Sequence, residues 1–240
     1  MLIDLQADAL YFQALENGVG FAIHQERVMN PKFKYHFGAR VKAGATLGDD
    51  CWELSAAFLH YHARTCRESW GQLWRLHMGL ADLAISRSWT ISNTLSINPL
   101  WGLRYGEIRH KLKEGPAVCM KNKFFGIGPK MGFEGIFSLC SPLDLFLRGG
   151  VSLLFGKIYV HQDRLPLKFY DEFHQNRAMF ESALGLRLTK GCFYGQAAFE
   201  IYLFPGQNQL AHFTHVPGKY VTNQGDLSLH GLSFGLGACF

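Results

Sequence analysis

The chain has 240 residues, 48% of them hydrophobic, and a formal net charge of +5. Its mean hydropathy is near zero. No apolar run approaches the roughly 18 residues of a membrane helix, which excludes helical spans but not membrane strands, because alternation hides strands from a hydropathy window. The charge is modest and no Lys/Arg cluster points to nucleic acid, so nucleic acid is not an expected partner.

Apolar and polar residues alternate with period two along most of the chain, the mark of one half-apolar strand after another. Ile3, Leu5, Ala7, Ala9 and Tyr11 share a face; Asp4, Gln6 and Asp8 share the other. Phe33, Tyr35, Phe37, Ala39, Val41 and Ala43 oppose Lys34, His36, Gly38, Arg40, Lys42 and Gly44. Trp52, Leu54, Ala56 and Phe58 oppose Glu53, Ser55 and Ala57, and Leu76, Met78 and Leu80 oppose Arg75, His77 and Gly79. Pro99, Trp101, Leu103 and Tyr105 oppose Asn98, Gly102, Arg104 and Gly106. Phe125, Ile127, Met131 and Phe133 oppose Gly126, Gly128, Lys130 and Glu134. Leu145, Leu147, Val151, Leu153 and Phe155 oppose Asp144, Arg148, Ser152 and Gly156. Phe180, Leu184, Leu186 and Leu188 oppose Glu181, Gly185 and Arg187; Phe199, Ile201 and Leu203 oppose Gln196, Ala198 and Glu200. The chain closes on Leu232, Phe234, Leu236, Ala238 and Phe240, alternating with Ser, Gly and Cys.

These are ten strands, each long enough for the tilted span of about nine residues that crosses a bilayer. The predicted fold is all-β: a single domain over 1–240, a transmembrane antiparallel up-and-down β-barrel of about ten strands. Twelve is the alternative, with extra strands in Gly18–Ile23 and in 206–227. Short connections near Gly48-Asp49-Asp50, Arg87-Ser88, Ser138 to Pro142 and Thr189-Lys190-Gly191 alternate with long ones over 15–31, 63–71, 111–121, 161–175 and 206–227. Outer-membrane barrels segregate loop lengths in this way, short turns to the periplasm and long loops outward. Pro99 and Pro129 fall inside strands, where a missing N–H removes a ladder bond. A signal peptide is expected for such a protein, whereas Met1-Leu-Ile-Asp-Leu enters a strand pattern directly.

With the apolar face toward lipid, the other face lines the lumen. Its basic residues are Lys34, Arg40, Lys42, Arg75, Arg104, Lys130, Arg148 and Arg187; its acidic ones are Asp4, Asp8, Glu53, Glu134, Asp144, Glu181 and Glu200, with His36 and His77 beside them. On the lipid face an Arg or Lys would cost about 2–4 kcal/mol at the midplane, so their segregation supports the barrel. The charges predict either internal pairing that plugs the lumen or a narrow pore with a slight anion bias. Its selectivity candidates are Arg40, Arg104, Arg148 and Arg187, supported by Lys130, Glu53, Glu181 and Glu200. Trp52, Trp101, Tyr105, Phe125, Phe155, Tyr159 and Phe199 are candidates for interfacial girdles.

Six cysteines form no C-x-x-C pair, and His110, His161, His174, His212 and His215 lack ligand spacing, so neither a metal nor another cofactor is predicted. Cys192 and Cys239 open and close adjacent strands in the same phase and are the best-placed internal disulfide; Cys66 and Cys119 are better placed to join other envelope proteins. Two other classes fit less well. An outer-membrane enzyme would draw on Asp163, Asp171, Glu172 and His174, which have no recognisable catalytic spacing; a soluble ligand-binding barrel would explain the missing leader.

Several blocks together resemble a known family. They are Ala7-Asp-Ala-Leu-Tyr-Phe-Gln-Ala14 with Glu16-Asn-Gly, Phe37-Gly-Ala-Arg-Val-Lys-Ala-Gly44 with Asp50-Cys-Trp-Glu-Leu, and Trp101-Gly-Leu-Arg-Tyr105. Further on come Lys123-Phe-Phe-Gly-Ile-Gly-Pro-Lys130, Ser152-Leu-Leu-Phe-Gly-Lys157, Ala183-Leu-Gly-Leu-Arg187, Phe204-Pro-Gly-Gln-Asn-Gln209 and Gly225-Asp-Leu-Ser-Leu-His-Gly-Leu232. In this order they resemble the major-outer-membrane-protein-like, pore-forming proteins of Legionella and of chlamydia-related bacteria. The resemblance implies an outer-membrane barrel, a narrow porin passing small solutes or ions that also contributes to envelope structure, and it supplies no catalytic residues. The extra cysteines suggest a lineage with a disulfide-linked envelope. The terminal Phe240, with Phe234 and Leu236, resembles the signal read by the barrel assembly machinery. Expected partners are therefore that machinery, outer-membrane lipid, disulfide-linked envelope proteins and further copies of the chain.

Overall fold

Alternation becomes sheet along almost the whole chain. The structure, a computed structural model, describes residues 2–16, 22–24, 27–29, 32–47, 52–67, 72–114, 118–164, 167–213 and 220–240. Its strands are β1 (Ile3–Glu16), β2 (Ala22–His24), β3 (Arg27–Met29), β4 (Lys32–Leu47), β5 (Trp52–Arg67), β6 (Gln72–Arg87), β7 (Trp89–Ser92), β8 (Leu95–Glu114), β9 (Val118–Cys140), β10 (Leu143–Arg164), β11 (Leu167–Lys190), β12 (Phe193–Phe213) and β13 (Tyr220–Cys239). Neighbours pair antiparallel, β6 pairs with β8, and β13 returns to β1. Ten staves thus close into a barrel: β1, β4, β5, β6 with its extension β7, and β8 to β13. At the seam Ile3 and Phe240 exchange both backbone hydrogen bonds, each 2.8 Å. The twelve-strand alternative falls away. β2 and β3 form a two-stranded sheet of their own, and the described residues of 206–227 belong to β12 and β13.

The turn expected at Arg87-Ser88 is not a turn. The β6–β8 register, Ser86 opposite Leu100, continues unchanged into Trp89 opposite Ile97. What lapses between is the pairing opposite Pro99, which has no N–H to donate. The chain reverses instead at Asn93-Thr94. Pro129 has the matching effect on its other side: β9 and β10 pair at Lys130–Ser152 and at Ile127–Phe155, but not between. The other tight turns are at Ser141-Pro142 and Gly191-Cys192, with Gly191 at a φ of +61° that a two-residue hairpin demands and glycine adopts without strain. The predicted turn at Gly48-Asp49-Asp50 lies outside the described residues.

The long connections are shorter than their sequence suggested. β5 runs to Arg67 and β6 starts at Gln72; β8 runs to Glu114 and β9 starts at Val118; β10 runs to Arg164 and β11 starts at Leu167. Most of 63–71, 111–121 and 161–175 is therefore strand that rises beyond the bilayer, where no lipid enforces an apolar outer face. The wall is uneven. β8 to β13 have 20–24 residues, against 14–16 for β1, β4, β5 and β6.

Burial separates the two faces. Phe37 and Leu236 point outward at 76% and 75% exposure, while Leu10 and Phe12 point inward at 0%. The expected outward set holds on most staves, including Leu5, Val41, Phe58, Leu103, Ile127, Leu153, Leu184, Phe199 and Phe234. Two places invert. On β6 it is Leu76, Met78 and Leu80 that are buried, so Arg75 and His77 face outward. At the start of β4, a register shift opposite Gln13 and Leu15 turns Phe33 inward and Lys34 out, with Gln13 Nε2 donating to the Phe33 carbonyl at 2.8 Å.

Native cysteines test the topology. Cys66 is exposed at the end of the barrel opposite the turns, and Cys140 and Cys192 are exposed at the turn end. A membrane-impermeant thiol reagent on intact cells is expected to label Cys66 and to reach Cys140 and Cys192 only after permeabilisation; the reverse pattern would invert the barrel. Replacing Phe240 by Asp puts a charge on the lipid face of the closing rung. The expected outcome is loss of the heat-modifiable folded band from outer membranes, and an undiminished band would show that closure does not need this side chain.

Candidate functional site: the lumen

The interior has two layers. Toward the end opposite the turns, the inward side chains are mostly apolar, although Glu16, His110, Asn122, Arg177 and Gln207 are buried there too and His110, expected beside a loop, meets Glu16 at 2.9 Å. Leu10, Phe12, Phe33, Leu59, Tyr61, Leu76, Met78, Ile108, Met179, Phe204, Leu227 and Leu229 form one buried cluster, and Phe124, Leu154, Ile158 and Val160 form another. All ten staves contribute to this layer. Ten strands enclose a narrow space that side chains of this size can fill. The polar atom of Tyr61 is satisfied, its Oη donating to the Phe12 carbonyl at 2.8 Å.

Toward the turns the lining turns polar, and the small residues there make room for large ones. A Cβ on Gly235 would collide with the Asp8 carboxylate, and one on Gly237 with the Tyr194 ring. A chamber of about 440 Å³ lies here, reaching Leu2, Thr46, Ser86 and Thr189 at the turn end of the staves. Most of its charges are paired, in two larger groups and a smaller one around Lys42. Arg104 meets Asp82 at 2.6 Å and Glu181 at 2.7 Å, and Lys130 meets the same acids at 2.8 and 2.6 Å. In the second group Arg40 Nε donates to Asp8 at 2.6 Å, and its terminal nitrogens form a two-point fork on Glu200 at 2.8 Å each. Tyr202 joins this fork, accepting from Arg40 at 3.0 Å and donating to Glu200 at 2.9 Å. Arg148 pairs with Glu134, as does Arg187 at 3.1 Å, and both arginines reach Gln196 Oε1. The Gln196 amide donates in turn to Asp8 at 3.2 Å. Lys42 meets Glu53 at 2.9 Å. In a low-dielectric barrel these are strong contacts, and each is also costly to break on one side only.

The structure brings Arg40, Arg104, Arg148, Arg187, Lys130, Glu53, Glu181 and Glu200 into this one chamber. It removes Lys34, Arg75 and His77 from the expected lining and adds Asp82, which shares a phase with Leu80 and Ala84 on the inverted strand. Six basic and seven acidic side chains line the chamber, with Asp8 an eighth acid buried behind them. The small basic excess read from the sequence is therefore not present in this lining. Asp82 and Tyr202 were not singled out from the sequence, and Gln196 was placed on the inner face without a role. Asp82 was findable as an acid between Ala81 and Leu83 in an otherwise apolar run.

The girdle candidates divide between levels. Trp52 sits under Arg87 at the turn end, 5.4 Å from ring centroid to guanidinium carbon. Tyr105, Phe125, Phe155 and Tyr159 gather where the outward face changes from apolar to charged, with Phe125 and Tyr159 stacked at 5.7 Å. Trp101 and Phe199 lie between the two levels. Cys192 and Cys239 stand opposite each other, the Cys239 N–H donating to the Cys192 carbonyl at 2.8 Å. Both are free thiols here, with Cys239 Sγ directed to Asp4 at 3.4 Å. The side chains of His212 and His215 lie outside the described residues. On the protruding β10–β11 hairpin, His161 pairs with Asp163 at 2.9 Å and Lys157 with Glu172 at 2.8 Å. The Lys157 hydrogen bond holds the Glu172 carboxyl below its ordinary pKa. Asp171 lies opposite Val160 and His174 opposite Lys157 in the β10–β11 register.

The barrel is similar in fold to the outer membrane protease OmpT from Escherichia coli, with a TM-score of 0.63 at 10% identity over 100% of this chain and 97% of that one. It is also similar to the translocator domain of the autotransporter NalP from Neisseria meningitidis, with a TM-score of 0.53 at 10% identity over 99% and 88%. At these identities the likeness concerns fold alone. No curated protein matches the sequence. The alternating staves, the outward apolar belt and the inward charges are those of an outer-membrane barrel, and residues 2–240 match the family of the Legionella pneumophila major outer membrane protein, to which this chain belongs.

Proposed function

We propose that this barrel builds outer-membrane wall with its lumen closed at rest, and that small solutes or ions pass only when the apolar layer is displaced. One observation supports this reading: buried apolar side chains from every stave, in two clusters, project into the lumen beyond the chamber. Hydrophobic constrictions bar ions by excluding water. The charged layer beneath supports it. Arg40, Arg104, Arg148 and Arg187 are each held by a carboxylate rather than left free to recruit ions. In this reading they brace the wall from within, and the chamber is a vestibule reached from the periplasm.

Planar-bilayer recording tests the closed state. The parent protein is expected to show no steady conductance, and a Phe12→Ala/Met78→Ala variant, which opens the layer, is expected to show frequent openings. Steady ohmic current from the parent would overturn the reading.

Bracing makes a second prediction. Arg104→Gln leaves Asp82 and Glu181 short of one buried partner, with an expected loss of about 3–5 kcal/mol. Urea unfolding in detergent should show the loss, and an Arg104→Gln/Glu181→Gln double variant should lose less than the two single changes together. Equal stability of Arg104→Gln and the parent would remove the bracing role.

A further inference from the structure

On the outer wall of β5, β6, β8 and β9 the apolar side chains stop along one line. Phe58, Ala81, Tyr105 and Ile127 are successive cross-strand neighbours on it. The next outward rung is His60, Gly79, Glu107 and Phe125; above it come His62, His77, Arg109 and Lys123, and above those Arg64, Arg75, Lys111 and Lys121. A step of two residues is about 6.7 Å along a strand, so tilted strands place these rungs within about 15 Å of the apolar line, at the level of lipid head groups.

The charge on this surface is one-sided. Glu107 is the one carboxylate on these rungs, and it is already held by Arg109 at 2.6 Å and Lys123 at 3.1 Å. Arg64 lies directly opposite Arg75, Arg75 opposite Lys111, and Lys111 opposite Lys121. None of these four has an ion-pair partner among the described residues. Like charges directly across a ladder destabilise it. Next door on β10 the Lys157 cation is neutralised by Glu172, and His161 meets Asp163. The unneutralised cations thus form a patch bounded on that side.

We propose that this patch binds the phosphorylated head groups of the glycolipid in the outer leaflet. Arginine and lysine are the side chains suited to phosphate oxygens, and here they stand on the lipid-facing wall rather than in the lumen. The apolar line directly beneath gives the same lipid's acyl chains a surface along Phe58, Tyr105 and Ile127. That continuity commits the site to a lipid phosphate and not to the free ion.

The test uses the refolded full-length barrel in a neutral detergent, titrated by native mass spectrometry with three probes: diphosphorylated lipid A, the same lipid after enzymatic dephosphorylation, and inorganic phosphate. The expected result is saturable binding of the diphosphorylated lipid alone. An R75Q/K111Q variant should bind it about 30-fold more weakly, while K190Q at the turn end should bind as the parent does. Equal binding of the dephosphorylated lipid, undiminished binding by R75Q/K111Q, or equally tight binding of inorganic phosphate would each overturn the proposal. The probe comparison is made on the parent protein, so it decides even if the double variant refolds poorly.

Discussion

Hydrocarbon offers no hydrogen bond to a backbone N–H or C=O, and each group left unmet there costs several kcal/mol. A sheet in lipid must therefore have no edge, and everything else in this molecule depends on the seam where β1 meets β13. Thirteen rungs, from Asp4–Cys239 to Glu16–Leu227, pair these first and last staves. Closure at ten staves then sets the width of the lumen. A lumen that narrow can be filled largely by side chains, and here they leave a chamber of about 440 Å³ toward the turns.

What fills it follows from what surrounds it. Lipid demands apolar side chains outside, so every charge within the bilayer's thickness must point inward, where a charge is tolerated chiefly when paired. The pairs do not simply run along one strand. Arg40 on β4 reaches Asp8 on β1 and Glu200 on β12, and Arg104 on β8 reaches Asp82 on β6 and Glu181 on β11. They tie neighbouring staves and staves three places apart around the ring. Glycines such as Gly235 leave the space that these long side chains occupy.

Period two is a strong signal for which residues share a face and a weak one for which face is inside. On most staves the apolar face meets lipid, so the barrel, its ten strands and most of the lumen charges were legible in the sequence. On β6 the same rule misled. Trp74, Leu76, Met78 and Leu80 lie at the level where the interior itself is apolar, and their polar neighbours Arg75 and His77 stand among head groups. The pattern changes phase at Leu80-Ala81, and Asp82 falls on the inner side of that change. Loop lengths misled for a related reason: strand above the bilayer loses its alternation without ceasing to be strand. The pairing of individual charges was not legible, because it depends on stagger between staves that are distant in sequence.

The two prolines have a mechanical consequence. Pairing lapses between β6 and β8 opposite Pro99, and between β9 and β10 opposite Gly128-Pro129. β8 and β9, by contrast, are paired without a break from Leu95–Phe137 to Glu114–Val118. The β8–β9 hairpin is thus a rigid panel with a skipped stitch along each flank. Under lateral tension in a swelling envelope, the hairpin would flex along those two flanks as one panel.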